Sequence, residues 1–184
     1  MLIKLLSQQD VNQLLLFAEL LSFSDKTLLW NKKPIEKITS SNGSEKVSIR
    51  IGKPEAMLLA DWRKNAKNAP EEDLMVQVLL QSMNDIPLRE YMTNLDGIRW
   101  NSVYSALHGI LRKQPPTNPH AIRIMLYELM LMALADGKIS NIEYRFLEEF
   151  KHHHKVDDYA FDEIRERAEN MYRETQKTIA LVLE

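Results

Sequence analysis

Asp136 and Glu143 stand either side of a short connector, Asp136-Gly137-Lys138-Ile139-Ser140-Asn141-Ile142-Glu143, which follows the almost wholly apolar run Leu126 to Ala135. Paired carboxylates between two helices are the donors a hard divalent cation takes, since calcium and magnesium bind oxygen. Two purely structural explanations compete for the same residues. Gly137 can adopt the left-handed conformation that stops the preceding helix, and Ser140 with Glu143 has the capping-box spacing that starts the next. Asp136 is left over, because a carboxylate at a helix C-terminus faces the negative end of the helix dipole, at a cost of about 0.3–1 kcal/mol. A cation shared with Glu143 would reverse that sign.

The connector also matches the second half of a calcium-binding EF-hand loop, but the first and third ligand positions would be Met132 and Leu134, which cannot coordinate calcium. An EF-hand is therefore excluded, and any cation site has to be completed from elsewhere. An internal echo names the candidates. Glu19-Leu-Leu-Ser-Phe-Ser-Asp25 can be laid over Met130-Leu-Met-Ala-Leu-Ala-Asp136, which puts Asp25 opposite Asp136 and Lys26 opposite Gly137. No glutamate falls opposite Glu143, and Glu36 is the nearest later carboxylate. Asp136, Glu143, Asp25 and Glu36 are thus the candidate ligands of a divalent cation whose identity the sequence leaves open.

Other titratable residues read as structural. His152, His153 and His154 are consecutive, so on a helix they point about 100° apart and do not converge on one ion. His108 and His120 stand alone, and Glu128, inside the apolar run, is expected to pair with an arginine such as Arg99 or Arg112. There is no phosphate-binding Gly-rich loop, no serine nucleophile elbow and no His-Glu-x-x-His. Without cysteine there is no disulfide and no thiolate ligand. A net charge of −2 with both signs mixed along the chain argues against nucleic acid as a partner. The start lacks the basic-then-apolar pattern of a signal peptide, and Ile124 to Ala135, interrupted by Glu128, is too short to cross a bilayer, which takes about 20 apolar residues. No transmembrane segment and a cytoplasmic location are expected.

The elements that must position these residues are mostly helical. Ser7 and Asp10 can open a helix carrying Val11, Leu14, Leu15, Ala18 and Leu21 at helical spacing. Ile35 to Thr39 and Val47 to Ile51, rich in β-branched residues and flanking Ser40-Ser41-Asn42-Gly43-Ser44, suggest a small β-hairpin or an ordered loop near residues 35–51, inserted at about 33–53. Further helices are expected from Pro54 to Lys64, Glu71 to Met83 and Ile98 to Arg112, the last capped by Asp96 after a short segment from Pro87 to Met92. Asn118 and Pro119 cap and start the apolar helix, and Asp157 or Asp158 caps a last one with Phe161, Ile164, Ala168 and Met171 in register. A single all-α domain over residues 1–184, a bundle of about seven or more helices, follows.

Leu131-Met-Ala-Leu-Ala-Asp136-Gly137-Lys-Ile139-Ser140-x-x-Glu143-x-x-Phe146-Leu147, followed by Tyr159-x-Phe161-x-x-Ile164, resembles the tellurite-resistance TerB-like family over roughly Ile122 to Ala168. The resemblance implies a helical bundle with a pseudo-duplicated core, acidic residues binding a divalent cation, and a role in stress or tellurite-resistance systems with partner proteins, near the membrane. Asp136 and Glu143 inherit the metal role directly and Asp25 through the echo. The segment from Lys33 to Lys53 departs from the compact family pattern. The resulting expectation is a non-catalytic module that binds a divalent cation, protein partners or both through the acidic connector. The alternatives are a metal-dependent hydrolase with clustered carboxylates and a purely structural helical adaptor.

Overall fold

Local capping chemistry starts most of the helices. In the computed structural model Ser7 accepts the Asp10 N–H at 3.1 Å and opens α1 (Gln8–Ser24). After a small sheet of β1 (Leu28–Trp30), β2 (Lys33–Pro34) and β3 (Val47–Ile49), Gly52 precedes α2 (Lys53–Arg63), which has Pro54 in its first turn. Then come α3 (Leu74–Asn84) and α4 (Leu88–Leu111). Asn118 accepts the Ala121 N–H at 2.9 Å to start α5 (Pro119–Ala133), Ser140 caps α6 (Asn141–His153), and Asp157 accepts the Ala160 N–H at 2.8 Å ahead of α7 (Asp158–Leu183). The structure describes residues 2–26, 28–30, 33–34, 47–49, 52–71, 74–84, 88–113 and 115–183, with the backbone alone at 28, 30, 33–34, 47–49, 80–84 and 88–95.

The result is a helical bundle of seven α-helices among the described residues. Its axis is α1, which packs on α2, α3, α4, α5 and α6. Val11, Leu14, Leu15, Phe17, Ala18, Leu20 and Leu21 are all buried, so α1 is buried around its circumference, as a helix enclosed by others must be. Phe17 meets Phe150 of α6 edge-on with centroids 5.2 Å apart, and Trp62 of α2 is fully buried beside the same core. Three of the polar residues buried with α1 have clear partners: Asp10 accepts from Ser7, from the Thr117 N–H at 3.0 Å and from the Thr117 hydroxyl at 2.5 Å, while Ser22 and Ser24 donate to carbonyls one turn back.

Several expectations are corrected. Val47–Ile49 is a strand, but its partner is β1: Leu28, Leu29 and Trp30 lie opposite Ile49, Ser48 and Val47, and β1 pairs on its other edge with β2. The hairpin of 35–39 with 47–51 is therefore not what holds β3; residues 35–46, including the Asn-Gly turn, lie outside the described residues. Leu88–Leu111 is one continuous helix, so Asp96 sits inside it rather than capping it. α3 begins at Leu74, after Pro70, whose carbonyl accepts from Arg63 Nη1 at 2.7 Å. Glu128 takes the backbone N–H groups of Leu2 and Ile3 instead of an arginine, which ties the N-terminal turn Ile3–Leu5 onto α5. Burial pushes its carboxyl above the ordinary value, with those two N–H groups opposing.

α7 packs on α5 through Phe161 and Ala168, its two buried residues. Beyond them the helix runs on to Leu183, with Ile179, Leu181, Val182 and Leu183 exposed. No helix among the described residues is long and apolar enough to cross a membrane.

Candidate functional site: a lysine among three carboxylates

Two helix ends and two helix starts meet beside the Asp136 connector. Asp25 is the C-cap of α1, and Asp136 follows the end of α5. Glu55 and Glu143 lie in the first turns of α2 and α6, each three residues after its N-cap. Carboxylates in first turns are favoured by the helix dipole and those at C-termini are not, so Asp25 and Asp136 need a positive charge from elsewhere.

Lys26 supplies it. Its ammonium lies 3.2 Å from Asp25 Oδ1, 2.5 Å from Glu55 Oε1 and 3.1 Å from Asp136 Oδ2, the last 110 residues away in the chain. The lysine and Glu55 are enclosed while Asp136 reaches solvent, with side-chain exposures of 13 %, 2 % and 40 %. Burial works against the lysine's charge. Hydrogen bonds to Glu55 and Asp136 and the fields of Asp25 and Glu55 outweigh it and hold the ammonium well above its ordinary pKa.

Glu143 is a neighbour of this cluster with a separate task. Its Oε2 accepts the Ser140 N–H at 2.8 Å while Ser140 Oγ accepts the Glu143 N–H at 3.4 Å, a complete capping box. Burial pushes the Glu143 carboxyl up to about 8, and Asp25 adds to the rise; the Ser140 N–H and hydroxyl and the Lys26 charge pull the other way. Near neutral pH Glu143 is thus mainly a neutral acid, which can still accept the capping hydrogen bond. Gly137 stands at φ +107°, a conformation L side chains rarely adopt, and its N–H bonds the Leu134 carbonyl at 2.9 Å.

Of the four candidate ligands, Asp25 and Asp136 converge on one atom, Lys26 Nζ. Glu143 lies close enough for the fields of Asp25 and Lys26 to reach it but commits an oxygen to the cap, and Glu36 lies outside the described residues. The third carboxylate on the lysine is Glu55, which sequence reasoning passed over. It is the counterpart of Glu143 that the echo lacked: both sit at the same position of the helix following an Asp-bearing helix end, with the sheet inserted between Asp25 and α2. Its signal was Gly52-Lys53-Pro54-Glu55, a helix start with an acid in the first turn. Gly52 makes room for it, since a Cβ there would come within 2.2 Å of Glu55 Oε2. That oxygen has no hydrogen-bond partner among the described residues.

Chemically the cluster is three carboxylates held around a single positive charge. It can bind a cation in exchange for the lysine, or serve as a fixed electrostatic joint between α1, α2 and the connector. Among the described residues no group of three or more His, Asp or Glu side chains is arranged to hold a metal ion. In comparisons with protein-family models, with curated proteins and with solved structures, this chain matches none.

Proposed function

We propose that this chain is a non-catalytic, cytoplasmic binding module of TerB-like type, serving stress or tellurite-resistance systems, whose acidic connector cluster takes a divalent cation, protein partners or both. The observation that supports it is the convergence of Asp25, Glu55 and Asp136 on one cationic atom. Three carboxylates around one ammonium leave negative charge in excess, and a doubly charged ion balances them better than Lys26 does. Lys26 is then the internal competitor of the ion, and release of the lysine is the step that exposes the oxygens. Partners near the membrane, as the resemblance implies, belong to the same proposal.

Calorimetric titration of the wild type, Lys26→Met and Asp136→Ala with calcium, magnesium, manganese and zinc tests it. Lys26→Met is expected to bind an ion more tightly than the wild type and to regain thermal stability on binding, while Asp136→Ala loses the heat. Absence of heat and of thermal shift with every ion in both wild type and Lys26→Met removes the cation from the proposal. The second reading, a structural helical adaptor, is favoured by the complete Ser140–Glu143 capping box; it predicts that alanine at Asp136 or Glu143 changes stability alone. A metal-dependent hydrolase needs an open coordination position beside bound water, and turnover of a chromogenic phosphate ester by Lys26→Met with added manganese would favour it.

A further inference from the structure

The far side of the same connector has the opposite chemistry. Where Asp136 turns to Lys26, Gly137, Lys138 and Ile139 turn to α7 and line a groove of about 550 Å³ together with Leu134, Tyr144, Arg165, Glu169, Tyr172 and Arg173. Three of these residues carry positive charge and one carries negative. Lys138 and Arg173 have no ion pair among the described residues, and Arg165 is shared with Asp162, a solvent-exposed acid one turn back, at 3.0 Å. Arg173 is held in place by neutral acceptors, the Glu169 carbonyl at 3.4 Å and Asn170 Oδ1 at 2.8 Å, so its guanidinium is oriented without being neutralised. Two half-buried tyrosines, Tyr144 and Tyr172, line the groove with the apolar Leu134 and Ile139. Tyr172 rests against the connector, its hydroxyl 3.4 Å from where a Cβ of Gly137 would stand.

We infer that this groove is a docking site for an acidic peptide segment of a protein partner, its carboxylates meeting Lys138, Arg165 and Arg173 and one apolar or aromatic side chain lying between Tyr144 and Tyr172. Charge complementarity sets the sign of the occupant. Size sets its class: the groove falls within the roughly 300–1,000 Å³ of sites that take sizeable ligands, far above the ~30 Å³ share of a water-sized ion. The aromatic walls and apolar floor reward a side chain that an inorganic anion lacks. This goes beyond the acidic cluster, since it places a second site of opposite charge on the other face of the connector and needs no cation at the first.

Fluorescence anisotropy with two labelled peptides, Glu-Glu-Phe-Glu-Glu and Lys-Lys-Phe-Lys-Lys, tests it at low ionic strength. The acidic peptide is expected to bind and the basic one not. The double variant Arg165→Glu/Arg173→Glu, at two positions outside the buried core, is expected to keep the wild-type circular dichroism spectrum, to bind the acidic peptide at least about tenfold more weakly and to gain the basic one. Lys138→Glu, outside any helix, weakens the acidic peptide in the same direction, and Tyr172→Ala weakens it relative to a Glu-only peptide. Failure of the acidic peptide to bind, equal binding of both peptides, or unchanged binding by both charge reversals overturns the inference. So does binding of inorganic phosphate or of vesicles containing anionic lipid, lost in the double variant, while the peptide fails to bind.

Discussion

Glu143→Gln isolates the one acid of the connector that burial holds neutral. In the unfolded chain its carboxyl titrates near the ordinary 4.5, and in the folded protein near 8. Below pH 4.5 both states hold the proton and no penalty arises. As pH rises from 4.5 toward 8 the unfolded state releases a proton that the folded state keeps, so folding loses up to about 1.4 kcal/mol per pH unit. A rise from 4.5 to about 8, which already includes the opposing Lys26 charge, caps the total at about 5 kcal/mol. Glutamine keeps an oxygen for the Ser140 N–H and removes the titration. Urea unfolding of both proteins at pH 5, 6, 7 and 8 reads the difference directly, because Glu128 and every other titrating group is common to the two. The variant is expected to gain on the wild type steadily with pH, by at most about 5 kcal/mol at pH 8. A difference that stays constant from pH 5 to pH 8 would mean that Glu143 is ionised in the folded protein, and the account of the cluster given above would fail.

Phe150→Ala removes the edge-on partner of Phe17 from a fully buried position and is expected to cost about 3–5 kcal/mol in chemical denaturation. Ser140→Ala removes the hydroxyl that accepts the Glu143 N–H and keeps the backbone N–H that Glu143 Oε2 accepts, and a loss of roughly 0.5–2 kcal/mol with no change in the circular dichroism spectrum is expected. Asp10→Ala leaves the Thr117 N–H and hydroxyl without their buried acceptor, which costs about 1–3 kcal/mol per stranded group; Asp10→Asn, which retains an acceptor, is expected to recover about half in the same melting assay. Gly52→Ala pushes the Glu55 carboxylate aside. It is expected to leave the fold intact and to shift the Lys26 Nζ resonance in NMR, with an unchanged resonance counting against the Glu55 contact.

What could be read from the sequence is what neighbours in the chain decide. Ser7 with Asp10, Asn118 with Ala121 and Ser140 with Glu143 start helices through bonds spanning three residues, and each forms as its spacing requires. Which helix the others enclose is a different matter. The helix at the centre is α1, whose run is broken by Asp10, Gln13, Glu19 and Ser22, all buried, so that polar residues hide its enclosure in the sequence; Asp10 meets Thr117 only when the chain folds. Lys26 could not be assigned either. Its importance depends on Asp136 and Glu55, which come to it only when α1, α2 and α5 pack, and no periodicity records that meeting. β3 likewise reached back past its expected partner to β1.

The uneven docking of α7 has a kinetic consequence. An isolated helix shorter than about 12–15 residues is marginal in water because its first turn is costly to nucleate. The part of α7 beyond Ala168 has no buried residue of its own, yet it adds turns to a helix already nucleated against α5 and so needs only propagation. Its amide hydrogens should therefore exchange in sequence, slowest around Phe161 and Ala168 and faster with each turn toward Leu183. That gradient makes the helix a graduated scale: anything that settles onto it, from the groove beside Tyr172 outward, registers as the position at which protection stops declining.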